Sequence, residues 1–206
     1  MMKERLLARK NGKGIQTIHL SSVENILQTV SPLKVKGIDA FDLTSVFLLL
    51  FGEDEPQMLA VQKADNEGYP WRNQVALPGG HIDEADSSPL DAAFRELREE
   101  LNIPRGQVRF INSLGHFQTI NNKDIEVFVG RWNGAGPLRY DPNEIARILK
   151  IPLSSLFQIH LDKNFHGRLP DVHELIYPYI DIEIWGVTGK IVHYLLEKLY
   201  PLYANK

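Results

Sequence analysis

The sequence predicts a mixed α/β (α+β) fold in which helices flank a curved mixed β-sheet. Two observations support this prediction. Strand-like segments occur in pairs that are separated by turn residues, and helix-like segments precede, separate and follow these pairs without a repeating order. With 206 residues, of which 43% are hydrophobic, the chain is long enough to form a single domain with a substantial core.

The first predicted element is a short N-terminal helix. Ser21 and Glu24 form a capping-box pattern, which predicts a helix that begins there and ends at about Val30. We assign residues 1–42 to an N-terminal extension and residues 43–206 to the main domain of a protein that has one domain overall.

The main domain begins with strands, and further elements are predicted on both sides of residues 73–103. Turn residues separate the strands of each pair, Gly52 to Pro56 in the first pair and Asn121-Asn122 in the second. The strands are predicted at residues 45–51, 58–63, 107–116 and 124–132, and the helices at residues 142–150 and 185–200.

The segment between Ser88 and Leu101 predicts an amphipathic helix. Ser88 can cap the first turn, Pro89 suits the first helical position, and Asp91 is favourable near the positive end of the helix dipole. Apolar residues then recur at helical spacing and form one stripe, which predicts the buried face of the helix. The stripe consists of Leu90, Ala93, Phe94, Leu97 and Leu101.

Three glutamates lie beside this apolar stripe. At about 100° per residue, Glu96, Glu99 and Glu100 fall within an arc of roughly 100°. Their carboxylates repel one another at neutral pH, so a divalent cation is the obvious neutralising partner. Because all of these ligand atoms are oxygens, Mg²⁺ or Mn²⁺ is favoured over Zn²⁺. The simpler alternative is a solvated acidic face of a helix.

A glycine pair precedes this helix. Residues 74–81 are typical of a short apolar strand, and Pro78-Gly79-Gly80 interrupts it, which lets bare backbone approach a ligand closely. The loop can therefore supply carbonyl groups to a metal ion or amide groups to phosphate oxygens. The glycine pair at this distance from the glutamates makes the solvated-face alternative less favoured.

These motifs resemble the signature of the Nudix hydrolases. That signature has a glycine, then an acidic residue, then the run Arg-Glu-apolar-x-Glu-Glu-x-Gly-apolar, and Gly80, Asp86 and residues 95–103 correspond to it. Asp86 stands where the family usually has glutamate, and one extra residue separates it from Arg95. Asn102 replaces the final glycine, a mild change because asparagine tolerates left-handed backbone.

Within that family the chain is most similar to the branch that hydrolyses coenzyme A. Asp86 and the extra residue before Arg95 are marks of that branch, and residues 73–80 and 184–188 resemble its Gly-Gln-Val-x-Phe-Pro-Gly-Gly and Ile-Trp-Gly-x-Thr motifs. The resemblance spans roughly residues 43 to 199 and implies the α/β/α sandwich of the Nudix family. It also implies cleavage of a pyrophosphate bond in coenzyme A or its derivatives, which yields 3',5'-ADP and 4'-phosphopantetheine.

The resemblance further implies a catalytic set. Glu96 and Glu100 would be the principal metal ligands. Glu99 would be an additional ligand or the general base, and Arg95 would orient a neighbouring glutamate, since an Arg95-Glu99 pair has the required helical spacing. The alternative bases are Glu144 and Glu174.

The remaining implied roles belong to backbone groups and cations. The carbonyl of Gly79 would be a metal ligand, and the backbone of Gly80 would contact the substrate. A 3'-phosphate would need a cation, for which Lys63, Arg72 and Lys123 are the candidates.

Other substrates and one other class of function fit the same motifs. Lys63 stands where the coenzyme A branch usually has arginine, so ADP-ribose, nucleotide sugars and dinucleoside polyphosphates are alternative substrates. A nucleotide sensor that keeps the fold without turnover is the alternative of another class. The presence of all three glutamates of the signature favours the enzyme.

Composition gives no indication of a nucleic-acid or membrane partner. The net charge of -3 provides no basic footprint for nucleic acid, and the longest apolar run, residues 46–51, is too short to span a bilayer. Residues 1–5 are charged and no signal-type apolar segment follows, so we expect a cytoplasmic protein. By analogy with other Nudix enzymes, residues 1–42 could form the interface of a homodimer.

The histidines show no spacing that suggests metal ligands or a nucleophile's partner, so we expect most of them to be structural or exposed. This applies to six of the seven histidines, at positions 81, 116, 160, 166, 173 and 193. The chain contains no cysteine, which excludes disulfides and thiol chemistry.

Overall fold

The computed structural model describes residues 18–35, 37, 41–68 and 71–204. Its helices are α1 Leu20–Leu27, α2 Pro89–Leu101, α3 Leu153–Asp162 and α4 Gly186–Ala204. Its strands are β1 Asp42–Phe51, β2 Gln57–Lys63, β3 Val75–Ala76, β4 Gly79–His81, β5 Val108–Gln118, β6 Lys123–Trp132, β7 Ile145–Pro152, β8 Tyr177–Tyr179 and β9 Ile182–Ile184. Of the predicted N-terminal extension, residues 1–17, 36 and 38–40 lie outside the described residues.

The main sheet is mixed, as the sequence predicts. β1 pairs in parallel with β6 and antiparallel with both β2 and β4. β5 pairs antiparallel with β6 on one side of β1, and β7 and β3 pair antiparallel with β2 on the other. β8 and β9 form a separate antiparallel ribbon. β1 is therefore the strand that joins both halves of the sheet to the glycine-bearing strand β4.

Alternating residues of β1 face two separate cores. Phe47 and Leu49 pack with residues of α2 in one core. Leu48 and Leu50 pack with residues of α1, α3 and α4 in the other. A strand places successive side chains on opposite faces, so an almost entirely apolar strand can serve both cores. Helices thus cover both faces of the sheet, which confirms the predicted α/β/α sandwich.

Both predicted strand pairs and the C-terminal helix are confirmed. β1 pairs with β2 across the turn at residues 52–56, and β5 pairs with β6 across Asn121-Asn122. Asn122 has a φ of 59°, a left-handed conformation that asparagine tolerates better than most residues. The helix predicted at residues 185–200 is α4, which begins at Gly186 and continues to Ala204.

The start and end of α2 follow from its own residues. The Ser88 hydroxyl accepts a hydrogen bond from the Asp91 amide at 3.1 Å, and Pro89 occupies the first turn. Asn102 ends the helix in a left-handed conformation with a φ of 58°. Ala93, Phe94, Leu97 and Leu101 of the predicted stripe are buried against the sheet, and Leu90 packs at the edge of the same core.

The prediction of a helix at residues 142–150 is wrong, because residues 145–150 belong to strand β7, which pairs with β2. Ile145, Ile148 and Ile151 recur every third residue, which is the spacing of one helical face. In the strand, an irregularity in register at Lys63 puts Ile145 and Ile148 in the core that contains α2, whereas Ile151 faces the other core. Pairing with an available strand edge overrides the local pattern.

The capping box predicted for the first helix is also wrong. α1 begins at Leu20 after His19 and has no side-chain cap, and it ends at Leu27 rather than near Val30. Glu24 is buried and its carboxylate accepts a hydrogen bond at 2.6 Å from Arg109 on β5. The glutamate therefore serves a contact between α1 and the sheet instead of the helix terminus.

Two further elements, α3 and the β8–β9 ribbon, were not predicted. Leu153, Leu156 and Phe157 of α3 are buried in the core that contains α4. None of the helices in the described ranges is long and apolar enough to cross a membrane.

Replacement of Ser88 by alanine tests the start of α2. Loss of the hydroxyl leaves the Asp91 amide without its cap, so we expect the free energy of unfolding in urea to fall by about 1 kcal/mol. Ser87, an exposed neighbour, supplies the matched control, and Ser87→Ala should stay within about 0.5 kcal/mol of wild type. Equal effects of the two variants would contradict the assigned cap.

Candidate active site

The glycine pair brings bare backbone against β1 and α2. Gly79 has a φ of 144°, and a β-carbon there would lie 2.2 Å from the carbonyl oxygen of Ser45. A β-carbon on Gly80 would lie 2.5 Å from a carboxylate oxygen of Glu96. Gly79 therefore has to be glycine, because its neighbours are backbone atoms, whereas a side chain at position 80 would displace the carboxylate of Glu96. The sheet edge and the glutamates of α2 meet here.

Arg95 lies at the centre of a group of carboxylates, which we term the Arg95 cluster: Asp86, Arg95, Glu96 and Glu99. Its guanidinium binds Asp86 through two hydrogen bonds, from Nε at 3.1 Å and from Nη2 at 2.9 Å. Its Nη1 donates to Glu96 and to Glu99, each at 2.9 Å. Nη2 also donates to the carbonyl oxygen of His81 at 3.0 Å, so one side chain connects α2 to the preceding loop.

Charges within the Arg95 cluster shift the protonation equilibria in opposite directions. Hydrogen bonds from Arg95 lower the pKa of Asp86. In turn, the hydrogen bonds to Asp86, and then those to Glu96 and Glu99, raise the pKa of Arg95. Burial raises the pKa of Glu96, and hydrogen bonding with Arg95 offsets only part of that rise. Additional positive charge beside Glu96 would therefore favour its charged form.

Glu100 has its own partners. The ammonium of Lys63, at the end of β2, lies 2.7 Å from Oε1, and the Gly79 amide donates to Oε2 at 3.0 Å. The side chains of Lys63 and Glu100 retain only 16% and 9% of their exposure, so the ion pair is largely shielded from water. The three glutamates that the sequence groups together therefore face cationic side chains: Glu96 and Glu99 face Arg95, and Glu100 faces Lys63.

The other predicted site residues lie further from these contacts. Arg72 is exposed and lies 3.5 Å from Asp65 in the loop after β2. Lys123 lies 3.3 Å from Nε2 of His81 and 5.1 Å from the ring centroid of Trp71, so it adjoins the loop that Arg95 binds.

Neither alternative base is held in the Arg95 cluster. Glu174 pairs with Arg168, with a hydrogen bond of 2.9 Å from Nη1, and this pairing lowers the pKa of Glu174. Glu144 is exposed, and its backbone carbonyl accepts a hydrogen bond from the Ala64 amide.

Sequence reasoning did not include Asp86 among the site residues, although it identified Asp86 as an unusual position of the signature. The structure makes Asp86 the principal partner of Arg95. Asp83, 3.3 Å from the same guanidinium, was also missed. The available signal was the acidic residue itself, which stands at the acidic position of the signature.

The fold and the site together place a carboxylate-rich helix beside a glycine loop. The sequence profile of the NUDIX domain matches residues 42–174, so the chain belongs to the Nudix family. NudL of Photorhabdus laumondii subsp. laumondii, described as an uncharacterized Nudix hydrolase, is 32% identical over 187 residues, 88% of this chain and 98% of that protein. NudL of Yersinia pestis, described in the same way, is 26% identical over 157 residues, 75% and 78% of the two chains.

Solved structures agree with the fold. A C. elegans Ap4A hydrolase in a binary complex matches 79% of this chain and 99% of that chain, with a TM-score of 0.51 and 15% identity. This likeness concerns the fold alone. Family membership establishes the class of reaction: the chain is a Nudix pyrophosphohydrolase, which hydrolyses the pyrophosphate bond of nucleoside diphosphate derivatives. Enzymes of this family generally use divalent metal ions.

Replacement of Asp86 by asparagine tests its ion pair with Arg95. Arg95 holds the pKa of the folded Asp86 below its ordinary value of 3.8. The stability that the carboxylate contributes is therefore complete above the unfolded-state pKa and is lost as the pH falls through the folded-state pKa. We expect wild type to be more stable than Asp86→Asn at pH 7 and the difference to shrink below a pH of about 4.

Urea unfolding at a series of pH values measures this difference. Glu84→Gln removes one exposed negative charge from the same loop and controls for the change in net charge. A stability difference between wild type and Asp86→Asn that stays constant from neutral to strongly acidic pH would count against the ion pair.

Proposed function

We propose that this Nudix enzyme hydrolyses coenzyme A or its derivatives in a metal-dependent reaction that yields 3',5'-ADP and 4'-phosphopantetheine. The observation that carries the proposal is the two-point contact between Asp86 and Arg95. It supplies a physical reason for the aspartate and the extra residue that the chain shares with the coenzyme A branch. The motifs at residues 73–80 and 184–188 support the same substrate.

The donor set fits Mg²⁺ or Mn²⁺. Glu96, Glu99 and Glu100 offer only oxygen atoms, and we propose Glu96 and Glu100 as the principal ligands with the Gly79 carbonyl beside them. Two features of the structure support this fit: Gly80 leaves the Glu96 carboxylate against bare backbone, and burial raises the pKa of Glu96. A bound divalent ion would neutralise phosphate oxygens and lower the pKa of a bound water molecule.

In this proposal, side chains of the Arg95 cluster accept the proton of the attacking water and orient the group that accepts it. Hydrolysis adds water to one phosphorus atom and breaks its bond to the bridging oxygen, which leaves with the second phosphate. We propose Glu99 as the base that takes the proton of the attacking water, because its side chain is 59% exposed while Arg95 holds one of its oxygens. Arg95 is then a positioning residue for Glu99.

The cations around the site suit an anionic substrate. Arg72 is exposed in the loop after β2 and is our first candidate for the 3'-phosphate, and Lys123, which lies beside the ring of the neighbouring Trp71, is the second. Lys63 lies 2.7 Å from Glu100, so we propose that it contacts a substrate phosphate beside that carboxylate. The backbone of Gly80 completes the proposed substrate contacts.

One specific observation favours a second group of substrates. Lys63 and Asn73 depart from the pattern of the coenzyme A branch. A lysine presents one ammonium where an arginine presents a planar fork, so the phosphate geometry that this position recognises differs. ADP-ribose, nucleotide sugars and dinucleoside polyphosphates are the alternative substrates, each cleaved at a pyrophosphate bond by the same groups.

The substrate test is product analysis by mass spectrometry. Coenzyme A, ADP-ribose and a panel of nucleotide sugars and dinucleoside polyphosphates are each incubated with Mg²⁺, with Mn²⁺ and with a chelator. We expect metal-dependent release of 4'-phosphopantetheine from coenzyme A. Turnover of another diphosphate alone would replace the coenzyme A assignment, whereas no turnover across the panel would favour the nucleotide sensor.

Replacement of Glu100 by glutamine tests the proposed ligand set. The amide keeps the size of the side chain and removes the charge, so we expect kcat to fall by about 10³-fold, equivalent to several kcal/mol of transition-state stabilisation. Glu183→Gln, at an exposed position of β9, is the matched control and should retain wild-type kcat. A Glu100→Gln variant that keeps full turnover would remove Glu100 from the site.

A further inference from the structure

Two histidines and a glutamate converge on the side of the sheet opposite to α2. His160 lies on α3, His166 lies in the loop that follows α3, and Glu197 lies on α4. α3 and α4 belong to the core that faces away from α2. We term these three residues the His160 cluster; it shares no element with the Arg95 cluster. The sequence spacing of the histidines does not reveal this group, because its third member is a glutamate that lies 31 residues beyond His166.

The ligand-type atoms of this cluster converge on one point. Nε2 of His160 lies 2.8 Å and Nδ1 of His166 lies 2.9 Å from the same oxygen, Oε1 of Glu197. One ligand-type atom from each of the three residues lies within 4.8 Å of the other two. In the described part of the chain, no other group of three His, Asp or Glu residues meets this criterion. Without a metal, each nitrogen makes this contact by donating its N–H to the carboxylate, and a bound ion would take the place of those protons.

Neighbouring aromatic rings hold both imidazoles in these orientations. His160 is fully buried, and its Nδ1 lies 2.9 Å from the hydroxyl of Tyr177. His166 stacks on Tyr200 with ring centroids 3.3 Å apart and an angle of 3° between the planes. A tyrosine hydroxyl can accept a hydrogen bond from Nδ1, and that tautomer leaves the lone pair of His160 Nε2 available for a metal.

We propose that the His160 cluster binds a divalent transition-metal ion of the Zn²⁺ type. Two imidazole nitrogens and one carboxylate oxygen match zinc and its neighbours, in contrast to the oxygen donors of α2. Ligand atoms around tetrahedral zinc lie about 3.3 Å apart for bonds of about 2.0 to 2.1 Å. The observed separations of 2.8 and 2.9 Å would lengthen by about 0.5 Å, which small rotations of the Glu197 side chain can supply.

The position of the site suggests what the ion does. Three protein ligands would connect the end of α3, the following loop and the last part of α4, and would leave a fourth position for water. His166 retains 40% of its side-chain exposure, so the ion has a path from solvent. The amide of Gly167 donates to the second oxygen of Glu197 at 3.2 Å and so connects that carboxylate to the loop after α3. The site would stabilise this side of the sandwich independently of hydrolysis.

The competing interpretation is a hydrogen-bonded cluster without a metal, in which the two imidazoles donate to Glu197. That interpretation accounts for the same distances. It predicts no selective affinity for transition metals. The two interpretations therefore differ in a measurable quantity.

The experiment is titration of the chelator-treated protein with Zn²⁺ and with Co²⁺. We expect one Co²⁺ with the intense visible absorption of a tetrahedral site. At a Zn²⁺ concentration about 100 times Kd, we expect a chelator-reversible rise in Tm of about 5 to 10 °C. Glu100→Gln should retain both signals, because its altered side chain lies on α2. This background separates the new site from the proposed catalytic ligands, and the readouts do not depend on turnover.

Variants identify the ligands. Glu197→Gln preserves the shape of the side chain, and His166→Ala alters a partly exposed ring, so we expect both to fold and to lose at least about 10²-fold in affinity for Co²⁺ and Zn²⁺. His173→Ala, at an exposed histidine outside the cluster, is the matched control and should bind as wild type does. Absence of tetrahedral Co²⁺ in wild type, or equal binding by wild type and Glu197→Gln, would overturn the proposal.

Discussion

The contact between the Arg95 guanidinium and its carboxylates is the interaction on which the site depends. One side chain binds Asp86 in the loop and both Glu96 and Glu99 on α2, and it also binds the carbonyl of His81. A guanidinium offers five donors in a plane, which a lysine ammonium cannot reproduce. Without this cation, neighbouring carboxylates on one helix would repel one another and the loop would lose its connection to α2.

The central strand β1 determines where this contact is made. β4 pairs with β1 through Gly79 and Gly80, and the alternation of β1 side chains separates the α2 core from the core of α1, α3 and α4. The glycine backbone and the helix carboxylates therefore meet on one face of the sheet. The opposite face is free to carry a different arrangement, which is where His160 and its partners lie.

Charge compensation is a second theme of the molecule. Lys63 lies against Glu100, and Arg95 lies against three carboxylates. Largely buried ion pairs contribute less to stability than their Coulomb attraction suggests, because both partners lose hydration. Their more important effect here is to hold carboxylate oxygens in defined positions, which is what a site for cations and anionic substrates requires.

The sequence by itself determined the features that depend on neighbouring residues. Ser88, Pro89 and Asn102 define the limits of α2, and the apolar spacing between them identifies its buried face, because capping and helical periodicity act within a few residues. The position of the glutamates on α2 follows from the same periodicity. The strand pairs on either side of residues 52–56 and 121–122 could also be predicted from the sequence, because turn residues impose local backbone conformations.

Only the tertiary structure decided the features that depend on distant partners. Residues 145–152 form a strand because β2 offers an edge to pair with, and Glu24 serves the sheet because Arg109 lies opposite it. Asp86 reaches Arg95, and His160 reaches Glu197, 37 residues away, through the path of the folded chain. The partners in such contacts are not spaced along the sequence in any regular pattern. Packing and hydrogen bonding in the folded chain therefore determine which groups meet.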